Sequence, residues 1–162
     1  MTETASEPLA IELLAKELRE CLARIPGIHP QAIGPDCTRH SFHLFCFRVD
    51  PRAVNVSRAA FLSALEAEGI PNFGGYPFPL YRQRLFLDRA FGPYSGCQGV
   101  DYAKISCRNC ETICSEQGGW LEQRLLLGTR EDMDDVVRAF EKVYEHRNEL
   151  RDSEVPEEQT AK

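Results

Sequence analysis

The segment Ser41-Phe-His-Leu-Phe-Cys-Phe-Arg-Val49 carries apolar residues at both alternating sets of positions. A strand with one face in water would show a polar residue at every second position, so the pattern predicts a central β-strand covered on both faces. Asp50-Pro51 closes this strand, and Ser57 is placed to cap a helix that Gly69 ends. The segment therefore predicts a buried strand, a short turn and a helix.

Two amphipathic helices flank this unit. Between Ser6 and the breakers Ile25-Pro26-Gly27, leucines recur near helical spacing, which predicts a helix with one apolar face. Near the other end, Thr129 is a predicted N-cap with Asp132 at the third helical position. The helix that follows has one apolar stripe, made of Met133, Val136, Val137, Phe140, Val143 and Tyr144.

The remaining segments are shorter. Residues 29–38 read as a turn-rich connector, and a short strand is predicted after Gly69. Residues 107–117 fit a short helix that Gly118-Gly119 would end. The predicted order is α-β-α-β-α-β-α, which favours an α+β fold of two layers: a small antiparallel or mixed sheet with helices packed on one face. We expect one domain over 7–150, between disordered ends at 1–6 and 151–162.

Composition and charge indicate which kinds of binding partner the chain does not favour. The chain has 162 residues, a net charge of −6 and seven cysteines. An acidic chain with scattered arginines does not favour nucleic acid or an anionic membrane surface as the main partner. The start carries acidic residues where a signal peptide would be basic, and no stretch is apolar enough to span a bilayer, so we expect a cytoplasmic protein with reduced thiols.

The segment 69–86, Gly69-Ile-Pro-Asn-Phe-Gly-Gly-Tyr-Pro-Phe-Pro-Leu-Tyr-Arg-Gln-Arg-Leu-Phe86, is here called the aromatic loop. Gly74 and Gly75 allow backbone angles closed to other residues, while the three prolines fix φ and remove donors. Its aromatic rings either pack a proline-rich turn onto the core or face a substrate. Composition alone favours packing.

Cysteine and histidine offer the first candidates for chemistry. Cys107, Cys110 and Cys114, with Cys97 upstream, could in principle bind zinc or an iron–sulfur cluster. Cys107, Cys110 and Cys114 are at helical spacing, however, which favours small apolar residues packed on one helix face. We therefore predict no metal site. His40 and His43 are three residues apart, so in a strand their side chains would point to opposite faces and could not bind one metal ion together. Each is therefore interpreted as a hydrogen-bonded histidine or as a single substrate contact.

Other catalytic signatures are missing from the sequence. It contains no G-x-G-x-x-G or G-x-x-x-x-G-K-[ST] phosphate loop and no nucleophile elbow for hydrolysis. Of its four lysines, two lie in amphipathic helices and one is the terminal residue, which leaves Lys104 as the sole candidate for a Schiff base.

Several motifs in series resemble the C-terminal part of the DegT/DnrJ/EryC1/StrS aminotransferases. They are Phe42-His-Leu-Phe45, Arg48-Val-Asp50, Arg58-x-x-Phe61-x-x-Ala64-Leu65-x-x-x-Gly69-Ile70, Tyr76-Pro-x-Pro-Leu-Tyr81, Phe86, Cys107-x-x-x-Glu111-x-x-Cys114, Trp120-Leu121, Leu126-Leu-Gly128-Thr and Asp132-Met-Asp-Asp135. The family is pyridoxal-phosphate-dependent and transfers an amino group to keto-sugar nucleotides or keto-cyclitols. The loop from Tyr76 to Tyr81 looks most like the scyllo-inosose branch. Arg108 departs from the family, which commonly has proline there.

The resemblance implies which domain binds the cofactor and which residues of this chain face the substrate. Family members carry the Schiff-base lysine and the cofactor-binding residues in a large N-terminal domain, so no catalytic, cofactor-binding or metal residue is expected in this chain, and the chain alone would be inactive. The expected partners are such a large domain or a homologous subunit, with a homodimer as one assembly, and a sugar or cyclitol substrate. Asn72, Tyr76, Tyr81 and His43 would face that substrate. The alternative is a stand-alone ligand-binding or interaction module that retains the fold.

Overall fold

The computed structural model describes residues 10–95 and 99–152. Its longer helices are α1 (Ala10–Leu22), α3 (Arg58–Ala67) and α6 (Arg130–Glu145), and its shorter helices are α2 (Pro51–Val54), α4 (Arg84–Leu87) and α5 (Arg108–Thr112). The strands β1 (Ile28–Pro30), β2 (Leu44–Val49) and β3 (Gly118–Glu122) form one antiparallel sheet in the order β1-β2-β3. The α+β prediction is confirmed, with an antiparallel sheet.

One face of the sheet carries the core. Phe45, Phe47 and Val49 of β2 are buried and pack with α1, α3 and α6. The alternate residues of β2 are only half-buried, and among them Arg48 donates a hydrogen bond to Gln117 at 2.9 Å. The strand is central as predicted, but the prediction that it is covered on both faces is wrong. Its second face is only partly covered, because it carries Cys46 and the aliphatic part of Arg48 where a buried face would carry large apolar residues.

β1 overlaps the start of the region predicted to be a connector, 29–38. Gly27, at φ +83°, makes the sharp turn out of α1, and His29 then pairs with Arg48 across the sheet. The strand is three residues long and ends at a proline, so no alternating pattern was present to reveal it. The short strand predicted after Gly69 is reduced to a single bridge between Phe73 and Trp120.

The predicted helix at 107–117 is present as α5 and a π-helical turn, Ile113–Gln117. Gly118 and Gly119 do not simply end it, because both are the first residues of β3. A Cβ on Gly119 would lie 2.5 Å from the ring of Phe47. Close packing within the sheet therefore requires a glycine at position 119. The sequence alone indicated only a helix breaker there.

Both internal caps follow the sequence. The Ser57 side chain accepts from the Ala60 N–H, and Thr129 and Asp132 form a reciprocal capping box at the start of α6. The Ser6 cap and most of the predicted disordered ends lie outside the described residues, although Arg151 and Asp152 complete a short 3₁₀ helix, Glu149–Asp152. The domain limits stay a prediction. Among the described helices, none has the length and apolarity to cross a bilayer.

Candidate functional site

The aromatic loop is fastened to the free edge of β3. Phe73 and Trp120 exchange both backbone hydrogen bonds, at 3.0 and 2.8 Å. Gly75, at φ +76°, lies against the indole, where a Cβ would be 3.2 Å from the Trp120 ring. Tyr76 then meets the same indole edge-on, with ring centroids 5.0 Å apart. The loop is thus positioned by the sole tryptophan of the chain.

Arg58, in the first turn of α3, holds the loop from its other side. Its Nη1 donates to the Gly74 carbonyl at 3.1 Å and to the Cys114 carbonyl at 2.8 Å. Burial lowers the pKa of Arg58 from its ordinary value, but the group remains charged at neutral pH. One guanidinium therefore joins α3, the aromatic loop and the π-helical turn. These three elements line a groove of about 540 Å³.

Tyr81 is a second anchor. Its hydroxyl donates to Glu111 Oε1 at 2.7 Å and accepts from the Cys107 N–H at 3.1 Å, while Arg82 Nη2 donates to the same carboxylate oxygen at 2.8 Å. The hydrogen bond from Tyr81, and then the charge of Arg82, hold the pKa of Glu111 below its ordinary value against the opposing effect of partial burial. Partial burial, followed by the bond to Glu111, raises the pKa of Tyr81.

We expect Tyr81→Phe to reduce the pH dependence of stability in acid. A carboxyl group with a lowered folded-state pKa adds stability above its unfolded pKa, and this is lost as the pH falls through the folded value. Removing the hydroxyl deletes the main cause of that lowering. Thermal melts from neutral pH down through the carboxyl range should show a smaller acid loss for Tyr81→Phe than for the wild type. Equal losses would mean that the bond to Glu111 has no energetic role.

The four side chains predicted to face a substrate differ in what they contact. Asn72 donates both amide hydrogens to backbone, to the Leu62 carbonyl at 2.9 Å and the Ile70 carbonyl at 3.0 Å. The Tyr81 hydroxyl is also fully engaged. By contrast, Tyr76 is 55% exposed, His43 is exposed immediately before β2, and neither makes a hydrogen bond to a described residue. Asn72 and Tyr81 thus shape the loop, and Tyr76 and His43 keep their polar groups available.

His40 has a structural environment. Its Nδ1 accepts from the Phe42 N–H at 3.0 Å and its Nε2 lies 2.9 Å from the Gln31 amide. Phe42 is buried at φ +47°, an unusual conformation for a residue with a large side chain. The imidazole therefore supports the tight turn that leads into β2, in agreement with the reading of a hydrogen-bonded histidine.

Exposed apolar residues concentrate around the loop. Eight of the ten large apolar side chains that are exposed in the described part of the chain lie between 73 and 113: Phe73, Tyr76, Phe78, Leu80, Leu85, Leu87, Val100 and Ile113. Behind them, Phe86, Phe91 and Tyr102 pack edge to face, with centroids 5.3–5.9 Å apart. Such a concentration of exposed apolar side chains is typical of an interface or a binding site.

The cysteines are only partly as predicted. Cys110 and Cys114 are half-buried, whereas Cys107 is exposed at the N-cap of α5, so the apolar-packing reading is wrong for Cys107. An N-cap side chain stands at the helix end and not on its packed face, which explains the exposure. Within 10–95 and 99–152, no cluster of three or more metal-ligating side chains was found. Cys97 lies outside the described residues.

The described lysines do not fit a cofactor-binding role. Lys104 is 84% exposed and pairs with Asp101 at 3.0 Å, and Lys142 pairs with Glu68 at 2.7 Å on the surface. Lys16 is exposed on α1. A Schiff-base lysine must be desolvated and held in place, which none of these three is. That this chain binds no cofactor stays a prediction.

Sequence reasoning gave no role to two residues that organise this site. Arg58 and Glu111 were noted as motif members, but their contacts join segments 16 to 56 positions apart for Arg58 and about 30 for Glu111. No local periodicity encodes such contacts. The one available signal was their presence, at matching order and spacing, in the family motifs.

Solved structures of known proteins share the fold of this chain. No protein-family profile matches the chain. It is 22% identical to 3-amino-5-hydroxybenzoic acid synthase with a TM-score of 0.62, covering 85% of this chain and 34% of the other. DesV of S. venezuelae, in complex with a ketimine intermediate, gives a TM-score of 0.58 at 23% identity, over 84% of this chain and 31% of that one. These likenesses show a shared fold.

The sequence relatives are cyclitol aminotransferases. The chain is 30% identical over 128 residues to the L-glutamine:2-deoxy-scyllo-inosose aminotransferase of Micromonospora echinospora, covering 77% of this chain and 30% of the relative. It is also 30% identical over 149 residues to a putative L-glutamine:3-amino-2,3-dideoxy-scyllo-inosose aminotransferase of Streptomyces kanamyceticus, covering 86% and 35%. The chain is therefore similar to a C-terminal-like region of the DegT/DnrJ/EryC1/StrS aminotransferases, and it spans about a third of the length of these relatives.

Proposed function

We propose that this chain is the small domain of a pyridoxal-phosphate-dependent aminotransferase acting on a keto-cyclitol or keto-sugar nucleotide. In this proposal a large domain, in the same polypeptide or in another subunit, carries the cofactor and its lysine, and the small domain alone is inactive. The proposal rests on the aromatic loop, where exposed apolar side chains surround rigid anchors that need no partner to hold their shape. The protein would work in the cytoplasm, with a homodimer as one assembly.

The rigidity of the loop supports a substrate-facing role. Asn72, Arg58 and Tyr81 fix three points of its backbone or side chains through hydrogen bonds of 2.7–3.1 Å. A site held in advance by neighbouring contacts loses little conformational entropy when a ligand binds. Tyr76, held by the indole of Trp120, then presents a hydroxyl suited to the polyhydroxylated ring of a cyclitol. We propose Tyr76 and His43 as the direct contacts, with Asn72 and Tyr81 acting through the shape of the loop.

A chimaeric enzyme tests the proposal. The chain would replace the matching segment of the Micromonospora echinospora relative, and amino transfer from L-glutamine to 2-deoxy-scyllo-inosose would be measured with pyridoxal phosphate present. We expect turnover in the chimaera and none in the isolated chain, which should also form no borohydride-reducible cofactor adduct at a single lysine. In the chimaera, Tyr76→Ala should lower kcat/KM by about tenfold or more, equivalent to the loss of about 1.4 kcal/mol of transition-state binding.

The matched control is Leu127→Ala, which removes a side chain that is 69% exposed on a different element and should leave kcat/KM unchanged. A folded chimaera without turnover, beside an active parent enzyme, would contradict the small-domain role. The alternative, a stand-alone binding module, predicts instead that the isolated chain binds the cyclitol and that Tyr76→Ala abolishes this binding. Calorimetry with the isolated chain separates the two.

A further inference from the structure

Arg58 uses only one of its guanidinium nitrogens to hold the aromatic loop. Its Nη1 donates to the carbonyls of Gly74 and Cys114, and both hydrogens of that nitrogen are thereby engaged. No described residue accepts a hydrogen bond from Nε or Nη2. Three of the five N–H donors of this half-buried side chain are therefore left for water or for a ligand.

The two free nitrogens lie on the same edge of the guanidinium. Because Nη1 is on the side of Cδ, Nε and Nη2 together form the opposite edge and direct two parallel N–H bonds away from it. The two oxygens of a carboxylate match such a pair in spacing and in plane. Two carbonyls from separate segments already fix the orientation of Arg58, so a ligand would not have to order the side chain.

Exposed arginines of this chain pair with carboxylates, whereas the half-buried Arg58 does not. Among the described residues, the exposed arginines with a carboxylate partner are Arg39, Arg82, Arg84, Arg124, Arg130 and Arg138. Pairs of this kind in open solvent add little to stability. Burial lowers the pKa of Arg58 because the charged form loses hydration. A carboxylate from a ligand would thus compensate a charge that the described part of the chain leaves uncompensated.

The groove beside Arg58 offers space for a small molecule. Its volume is about 540 Å³, and Arg58 lines it together with residues of the aromatic loop and of the π-helical turn. A Cβ on Gly74 would lie 3.6 Å from Cζ of Arg58 and 3.7 Å from Nη2, so the glycine leaves this part of the guanidinium uncovered. Pro51, Ala59 and Pro77 add apolar wall. The groove therefore has room for a short carbon chain next to the guanidinium.

Glu116 limits the charge that such a molecule can carry. Its exposed side chain lines the same groove and opposes any anion there. The repulsion is larger for a phosphate group, with about −1.5 to −2 charges at neutral pH, than for a carboxylate with a single charge. The groove therefore favours a monocarboxylate over a phosphate.

We propose that the groove binds small monocarboxylates, with the carboxylate oxygens on the Nε and Nη2 edge of Arg58 and the carbon chain along the apolar wall. Binding forms two charge-assisted hydrogen bonds and involves no covalent step. The inference goes beyond the proposed function and does not depend on it, because residues of this chain alone form the groove.

Titration of the isolated chain with sodium acetate, followed by proton–nitrogen NMR of backbone amides and arginine Nε–H groups, tests the proposal. At constant ionic strength, we expect the Nε–H of Arg58 and the amide of Gly75 to shift saturably. The dissociation constant should be roughly 10–100 mM, as for one charge-assisted pair. Acetamide, a neutral analogue of the same shape, should cause no saturable shift, and inorganic phosphate should bind more weakly than acetate.

Glu116→Gln is the variant that keeps Arg58 and its contacts with the loop. Removing the repelling charge should tighten acetate binding by about two- to fivefold. Glu145→Gln is the matched control, because it removes the same charge from an exposed position at the end of α6 and should leave the acetate affinity unchanged. Arg58→Lys keeps a cation but lacks the planar pair of donors, so it should weaken acetate binding by about threefold or more. Circular dichroism checks the fold of each variant.

The possible results are distinct. The absence of a saturable shift at Arg58 in the wild type, equal responses to acetate and acetamide, or equal acetate affinities of the wild type and Glu116→Gln would overturn the proposal. Unchanged affinity in Arg58→Lys would overturn the paired hydrogen bonds, and tighter binding of phosphate would overturn the carboxylate class. Acetate binding by the isolated chain beside an inactive chimaera would support the groove site and contradict only the small-domain role.

Discussion

Phe140→Ala should destabilise the fold by about 3–5 kcal/mol, because the ring is completely buried and its removal would leave a cavity in the core. Phe140 meets Phe47 edge to face at 5.2 Å and Phe61 at 6.0 Å, so it joins α6 to the sheet and to α3. For a domain of this size, that loss corresponds to a fall in the melting midpoint of roughly 6–20 °C. Urea denaturation followed by circular dichroism gives the free energy directly.

Phe78→Ala is the matched control, since it removes the same ring from a position that is 45% exposed. We expect it to change the free energy of unfolding by less than about 1 kcal/mol. Similar losses in the two variants would show that α6 is not docked through the Phe140 face.

Gly119→Ala should cost about 1–3 kcal/mol, with a larger loss for Gly119→Val. The added Cβ would lie 2.5–3.0 Å from three atoms of the Phe47 ring. That ring cannot swing aside freely, because it is buried and packed against Phe140. Either the strand pairing between β2 and β3 or the core must shift. Denaturant melts of the two variants measure the loss.

Gly34→Ala is the control for this series, because its Cβ would meet nothing within 4 Å. It should alter stability by less than about 0.5 kcal/mol. If the contact with Phe47 is the cause, Phe47→Leu should recover part of the Gly119→Ala loss in a double-mutant cycle. Strictly additive losses would place the cause elsewhere.

What the sequence could predict was local. The capping box of Thr129 and Asp132, the cap at Ser57 and the apolar stripe of α6 depend on neighbours within a turn or two, and all are present. The α+β class followed from the order of such elements. The resemblance to the aminotransferases added the family, which no single spacing could reveal.

What could not be predicted depends on distant partners. β1 has three residues and becomes a strand by pairing with β2, and Gly119 is a glycine because Phe47 lies across the sheet. The candidate site is similar, since Tyr81 and Glu111 are 30 positions apart and their contact anchors the loop. Periodicity contains no information about such pairs, so burial and hydrogen bonding at the site required the three-dimensional structure.

The bridge between Phe73 and Trp120 also blocks the middle of the β3 edge against strand pairing with another chain. An uncovered sheet edge presents unpaired N–H and C=O groups that another chain can use as a template for aggregation. Phe73 occupies both backbone groups of Trp120 on the outer edge of β3, and at the opposite edge β1 ends at Pro30, which has no N–H to donate. A change that detached the aromatic loop would uncover the β3 edge together with apolar side chains of the loop, so fibrillar or amorphous deposits would report its release.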